Sequence, residues 1–242
     1  MRLAIQFEST PITLPVNYHY LVQGWIYSML PDDGYRKFIH DQGYQVSNQK
    51  FKLFVFSDLL GSYEIHGRSM TFLKGCRLKI GSQSEEFIEY LYQFLMQNHQ
   101  VLVGSQTLKI HSVSIEELPY FSGKKEVLIK TLSPITAYRT VDRKVEYFQP
   151  DSEEFYLSCL SNLKKKAEAY DLPIVPDFTI TEIQSAKKRL IRFKKTFYVS
   201  YTCMLSVYVD YPTLELMWNT GLCAKNSAGF GMIEVIRQKY RR

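Results

Sequence analysis

The feature that most constrains this chain is a succession of hydrophobic periods that reads strand, helix, strand, strand, helix, strand, and then begins again. Residues 2–7 alternate as a first strand. Residues 18–30 follow as a helix, with Tyr18, Leu21, Val22, Trp25, Ile26, Met29 and Leu30 recurring at steps of three and four. Pro31 and Gly34 break it, and residues 35–41 read as a short second helix with Tyr35, Phe38 and Ile39 inward and Gly43 as its stop. Residues 51–57 form a strand, and 62–66 and 69–80 continue the sheet. Residues 84–98 are a helix with Glu85 and Glu86 in its first turn and Phe87, Ile88, Leu91, Phe94 and Leu95 as its stripe. Strands at 101–103 and 107–113 complete a β-α-β-β-α-β order, the ferredoxin-like arrangement.

After residues 119–125, which have linker composition, the pattern returns. It comprises a strand at 127–132, a short extended piece at 134–139, and a long helix at 152–170 with Phe155, Tyr156, Cys159, Leu160 and Leu163 on one face. Strands at 178–183, 190–193 and 197–209, a short helix at 214–220 and a last strand at 229–236 follow. The chain is therefore expected to be α+β. It would hold two tandem ferredoxin-like domains, one over 1–118 and one over 126–242, with the linker 119–125 between them.

Composition narrows the functional classes. The four cysteines are scattered without CxxC spacing, which fits reduced thiols and opposes both a disulfide framework and a zinc site. No segment approaches a membrane span, and the N-terminus alternates like a strand rather than like a signal peptide, so a cytoplasmic location is expected. A net charge of +6 and 14% aromatic residues permit a polyanionic partner whose unpaired bases stack on rings.

Four stretches are candidates for function. Residues 221–231 are punctuated by Gly221, Gly229 and Gly231, and glycine allows positive φ and close approach of backbone N–H groups to a ligand. Lys225, Asn226 and Ser227 add a cation and two small polar side chains. The loop feeds a strand rather than a helix, which excludes the Rossmann and Walker phosphate loops; an ordinary Gly-rich turn fits the same residues. Residues 187–195 carry six cations in nine positions: Lys187, Lys188, Arg189, Arg192, Lys194 and Lys195. A hairpin with one packed and one basic face would track phosphates. A solvated hairpin, or an edge guarded by lysines, fits as well. On the first helix Tyr20, Gly24 and Tyr27 fall opposite the apolar stripe, as surface or as site residues. His40 shares a helix face with Arg36 near a helix C-terminus, where the dipole favours an imidazolium; it is equally compatible with a structural or exposed histidine.

Several chemistries lack their residues. There is no carboxylate pair with two-metal nuclease spacing, no His/Cys zinc cluster and no GxSxG. No metal or cofactor is expected. Cutting RNA needs none, because its own 2′-OH is an internal nucleophile. Such an enzyme needs a base, an acid or orienting group, and a cation near the phosphate, which a His, a Tyr and a Lys can supply.

The run Gly-x-x-x-Lys-Asn-Ser-x-Gly-Phe-Gly-Met at 221–232 resembles the glycine-rich loop of the CRISPR-associated repeat-RNA endoribonucleases. So do Leu14-Pro15-Val16-Asn17-Tyr18 through Gln23-Gly24-Trp25-Ile26-Tyr27, the His40 segment with Lys52-Leu53-Phe54-Val55-Phe56-Ser57, and Leu132-Ser133-Pro134-Ile135. These matches lie in order across essentially the whole chain. The resemblance implies two RRM-related ferredoxin-like domains and a metal-independent cut of repeat RNA in precursor transcripts. That cut gives guide RNAs and leaves a 2′,3′-cyclic phosphate and a 5′-hydroxyl. By position it implies His40 as general base or acid, Tyr27 as catalytic tyrosine and Lys52 as catalytic lysine, with Lys50 a rival to Lys52. Which of His40 and Tyr27 gives and which takes a proton stays open. RNA-binding residues would be Lys187, Lys188, Arg189, Arg192, Lys194 and Lys195 with Lys225, Asn226, Ser227, Gly229 and Gly231. Where the family's loop often begins Gly-x-Gly, this chain has Cys223. Implied partners are CRISPR repeat RNA and other effector subunits, for a monomer or a homodimer. The alternative is a non-catalytic RNA-binding subunit of an effector complex on the same fold.

Overall fold

The structure is a computed structural model that describes residues 1–31, 34–47, 49–52 and 54–239, with the backbone alone for His40 and 237–239. Strand β1 (Arg2–Phe7) is followed by β2 (Ile12–Pro15) and helix α1 (His19–Ser28). A single turn of α-helix, α2 (Tyr35–Lys37), opens into a π-helical turn, Phe38–Gln42. Short strands β3 (Tyr44–Val46), β4 (Gln49–Phe51), β5 (Phe54–Phe56), β6 (Tyr63–His66) and β7 (Ser69–Phe72) lead to β8 (Arg77–Ser82). Helix α3 (Glu85–Gln97) and the strands β9 (Gln100–Val103) and β10 (Gln106–Glu116) finish this half.

The second half begins with β11 (Lys124–Thr131) and a hairpin of β12 (Tyr138–Val141) and β13 (Lys144–Tyr147). Helix α4 (Glu153–Ala169), the long strands β14 (Phe178–Phe193) and β15 (Thr196–Asp210), helix α5 (Tyr211–Thr220) and β16 (Ile233–Lys239) complete it.

The two main sheets repeat one topology. The first is ordered β5-β8-β1-β10-β9 and the second β14-β15-β11-β16, with antiparallel pairing throughout. In each, the strand after the first helix lies at one end and the first strand sits between the third and the fourth. That is the ferredoxin-like order twice over, as the sequence pattern predicts. Each sheet has its own apolar cluster, one drawn from Leu3 to Leu108 and one from Leu118 to Ile233. Local signals and packing agree on α3: Ser84 caps it through the Phe87 N–H, and Phe87, Ile88, Leu91 and Leu95 are buried. Burial at roughly 1.5–3 kcal/mol per side chain outweighs a cap of about 1 kcal/mol, so the stripe rather than the cap holds the helix in place.

Several expectations are corrected. The strand expected over 51–57 is broken: β4 pairs with β3, whereas β5 pairs with β8. Segments 62–66 and 69–72 do not extend the main sheet but form a separate one, ordered β2-β7-β6. Helix α5 starts three residues earlier than expected, because Asp210 caps it by accepting from the Thr213 N–H and Pro212 sits in its first turn. The extended piece expected at 134–139 runs on into the β12–β13 hairpin. That hairpin turns on Asp142 and Arg143, both at positive φ (49° and 65°), without the glycine that usually marks such turns.

The two halves are stitched at several points. The buried Arg2 guanidinium donates to the carbonyls of Trp218 and Ile233, the latter at 2.9 Å, and lies 3.8 Å above the Trp218 ring. Val55, Leu132 and Met232 form a small apolar cluster of their own between the sheets. Ser133 Oγ donates to the Phe56 carbonyl at 3.0 Å and accepts from the Met232 N–H at 3.0 Å.

Candidate active site

Tyr27 does not lie on an open helix face. It is 8% exposed, and its ring meets Phe54 of β5 edge-on at 5.6 Å. A helical wheel places it opposite the main stripe, but the neighbouring β5 covers that side too; Gly24 is the exposed position. Burial lifts the Tyr27 hydroxyl well above its ordinary value, and the Asp41 carboxylate adds to the lift.

Asp41 and His40 belong to the π-helical turn, which is held from both sides. Arg36 donates from Nε and Nη2 to the Leu30 carbonyl at 3.1 and 2.6 Å, tying the turn to the end of α1. At the other side Gly43 (φ 61°) lets the backbone press against the Phe51 carbonyl, with which any Cβ would collide. The turn expected to present His40 is thus present, as a π-turn rather than an α-helix; the His40 side chain, like Leu53, lies outside what is described.

Lys50 and Lys52 both face this turn. Lys50 Nζ donates to the Asp41 carbonyl at 3.2 Å. Partial burial lowers the Lys52 ammonium from its ordinary value; Asp41 opposes that and Lys50 adds to it. Only Lys50 is in a strand, since β4 ends at Phe51, so strand alternation does not relate the two lysines as expected. Asp41 acts electrostatically on both Tyr27 and Lys52, which brings helix, turn and lysines to one place.

That place opens on a cleft of about 350 Å³ between the halves. Lys50, Lys52, Lys166 and Lys225 line it, and among the described residues no carboxylate does. Lys166 is the addition that sequence reasoning misses. It is 3% exposed and donates to the carbonyls of Thr220 at 3.1 Å and Gly221 at 2.7 Å, where α5 ends. A cation at a helix C-terminus meets the negative end of the dipole. Burial nonetheless brings Lys166 down to about 7. A sequence signal for it exists, because it follows Leu163 by three on the apolar stripe of α4.

The glycine loop closes the cleft from the second half. Asn226, expected to face RNA, turns inward, and its Nδ2 donates to the carbonyls of Leu222 at 3.0 Å and Phe230 at 2.9 Å. Gly229 and Gly231 are buried as well. A Cβ on Gly229 would come within 2.6 Å of the His19 and Phe56 rings, and one on Gly231 would strike the Leu222 carbonyl. These glycines are required by the close packing of the loop against α1, β5 and its own backbone. Lys225 is exposed and Ser227 half-buried, and the Ser227 carbonyl accepts from Gln23 of α1 at 2.7 Å. Cys223 takes φ 59°, the left-handed conformation that a glycine at this place would adopt without strain.

The basic hairpin is an overhanging ribbon. Lys187 pairs with Thr202, Lys188 with Tyr201 and Arg192 with Phe197. Neither face is fully packed at its end: Leu190, on the same face as Lys188 and Arg192, is 64% exposed. The expected division into a packed and a basic face fails because β14 and β15 run beyond the sheet they belong to, so cations stand on both faces. Near its base Lys188 and Arg189 face a second groove, of about 690 Å³, across from His19 and Asp58. His19 Nε2 lies 2.8 Å from Asp58 Oδ1, and its ring stacks between Tyr18 and Phe230. Among the described residues no group of three or more His, Cys, Asp or Glu is placed to hold a metal. No helix there is long and apolar enough to cross a membrane.

Fold and cleft together define a tandem ferredoxin-like protein with a cationic cleft between its halves. The family described as CRISPR associated protein Cas6, C-terminal, matches residues 116–235. The CRISPR-associated endoribonuclease Cas6 1 of Methanocaldococcus jannaschii is 29% identical over 253 residues, covering 100% of this chain and 95% of the relative. The CRISPR-associated endoribonuclease Cas6 of Pyrococcus furiosus is 25% identical over 245 residues, covering 97% and 88%. A solved structure described as CRISPR associated protein Cas6 superposes with a TM-score of 0.79 at 26% identity, over 98% of this chain and 99% of that one. A Cas6-related protein from Pyrococcus furiosus gives 0.79 at 18% identity over 98% of each chain, a likeness of fold. The chain is thus similar over its whole length to CRISPR-associated Cas6 endoribonucleases, and its second half matches the C-terminal model of that family.

Proposed function

We propose that this protein is an endoribonuclease that cuts CRISPR repeat RNA in precursor transcripts to release guide RNAs, without a metal ion. The 2′-oxygen before the cut attacks the adjacent phosphorus and the 5′-oxygen leaves, giving a 2′,3′-cyclic phosphate and a 5′-hydroxyl. His40, Tyr27 and Lys52 are the reacting groups in this reading. Burial keeps Tyr27 a neutral phenol at physiological pH, which suits it to donate toward the leaving oxygen. The proton from the 2′-OH goes to the imidazole of His40. Lys52 sets its charge against the phosphorane, where preorganised charge is worth most. Lys225, Ser227 and the cations at 187–195 follow the RNA backbone. The reacting groups come from a unit over 1–118 and most of the groups that hold the backbone from a unit over 126–242.

The observation that carries the reading is the cleft where Lys50, Lys52, Lys166 and Lys225 converge beside the His40 turn with no carboxylate among its described lining. The relatives' description as endoribonucleases supports the reaction class. The test is end-labelled repeat RNA incubated with wild type and His40→Ala in excess EDTA. Cleavage at one site by wild type, with a cyclic phosphate end and loss in the variant, is expected. Binding of the cognate repeat without cleavage by wild type would overturn the catalytic reading and leave an RNA-binding subunit.

A further inference from the structure

The β12–β13 hairpin contributes to neither main sheet, and the chemistry above makes no use of it. It lies between β11 and α4 and leans on the glycine loop, where Thr136, just before it, bridges to Ala224. Tyr138 and Tyr147 stand opposite each other in its register with ring centroids 5.7 Å apart. Tyr138 also reaches Tyr198 of β15 at 6.4 Å, and Tyr198 rests on Phe230 at 5.5 Å. Above Tyr198 stands Lys225, its ammonium 5.8 Å from the ring centre. The Tyr147 hydroxyl donates to the Phe197 carbonyl at 3.2 Å and pins the hairpin against the start of β15.

Two properties separate this cluster from an ordinary core. Its three tyrosines are only half-buried, and Lys225 beside Tyr198 is exposed, whereas Arg139 pairs with Glu146 on the other face of the hairpin. Tyr138 moreover lines the same cleft as Lys52 and Lys225. Flat rings fixed at one edge, beside Lys225 and at the mouth of a lysine-lined cleft, suit a ligand that has a π-face and a negative charge together. An unpaired nucleotide is that ligand, and stacking on tyrosine tolerates any base. A peptide offers the charge without the extended π-face.

We propose that Tyr138, Tyr147 and Tyr198, with Lys225, form a stacking site for an unpaired nucleobase next to the phosphate held in the lysine cleft. The site rests on the RNA-cutting reading and adds a position to it: the RNA leaves the cleft over the hairpin, and its first base outside the cleft lies on Tyr138. Tyr147 and Tyr198 hold the Tyr138 ring in place.

The experiment measures binding and single-turnover cleavage of repeat RNA by wild type, Tyr138→Phe and Tyr138→Ala. The RNAs carry an abasic nucleotide at each position flanking the cut in turn. Tyr138→Ala is expected to weaken binding roughly 10- to 100-fold. Tyr138→Phe, which keeps the ring and also reports on folding of the hairpin, stays near wild type. One abasic position in wild type reproduces the alanine loss, and the two changes together cost no more than either alone. Intact binding by Tyr138→Ala, equal loss in Tyr138→Phe, or full additivity with every abasic position would overturn the stacking site. If wild type cuts the repeat while any of these holds, the inference falls alone. If wild type neither binds nor cuts it, the RNA-cutting reading falls as well.

Discussion

The Lys166 ammonium lies 2.7 Å from the carbonyl of Gly221, buried at the point where α5 passes into the glycine loop. An Nζ in this position fixes where the loop begins, from helix α4 of the same half. It does so with a group whose charged form is disfavoured by burial, down to about 7 from an ordinary 10.5. Between those values the unfolded chain keeps a proton that the folded chain gives up. Stability contributed by Lys166 is therefore complete above about 10.5 and lost as pH falls through about 7. Relative to Lys166→Met, the wild-type melting temperature is expected to climb as pH rises from about 7 toward about 10. Parallel curves for the two proteins would show that the group is not held in this way.

Tyr27→Phe keeps the edge contact with Phe54 and deletes only the hydroxyl. Its melting temperature should stay close to wild type. Single-turnover cleavage should fall roughly 10²–10⁴-fold, the range for one positioned proton-transfer group. If cleavage is unchanged, Tyr27 is a packing residue.

Lys50 and Lys52 should separate on the same assay. The Lys50 ammonium is already engaged with the Asp41 carbonyl, whereas Lys52 is partly buried, where its charge is less screened by water. Lys52→Ala is expected to reduce the cleavage rate constant at saturating RNA by at least about ten times more than Lys50→Ala, as fits charge placed at a transition state. The reverse order would move the catalytic assignment to Lys50.

Glycine has two opposite roles here, and substitution should tell them apart. Gly24 sits inside α1, and a Cβ added there would meet nothing within 4 Å, so Gly24→Ala should raise stability by roughly 0.5–1 kcal/mol. Gly231 has φ 77°, and a Cβ there would strike the Leu222 carbonyl. Gly231→Ala should lower the melting temperature and weaken RNA binding together, since the loop cannot keep its path.

The repeated topology is legible in the sequence because both halves obey the periods of their elements: apolar steps of three and four in α1, α3 and α4, alternation in β1 and a short apolar run in β11. What is not legible depends on neighbours distant in sequence. Tyr27 is covered by β5, which a helical wheel does not include. The break between β4 and β5 arises because each pairs with a different strand. The β12–β13 turn lacks glycine, so its usual signal is missing. In the glycine loop the sequence shows where the chain needs freedom; it does not show that Asn226, Gly229 and Gly231 use it for packing, leaving Lys225 as the exposed cation.

The ribbon formed by β14 and β15 gives a prediction that depends on charge rather than shape. Arg192 and Lys194 are exposed near its end and Lys188 nearer its base, and Leu190 and Phe197 stand exposed among them. Replacing all three cations with alanine should leave the melting temperature nearly unchanged, because surface substitutions away from packed features usually cost little. Each cation that neutralises a phosphate releases a counterion, so the slope of log affinity against log salt should flatten by about 0.7 for every phosphate left unneutralised on single-stranded RNA. Cleavage at saturating RNA should persist, since the reacting groups lie on the other half. A weakened affinity with an unchanged salt slope would mean that the ribbon holds RNA by something other than its charge, or holds a different partner.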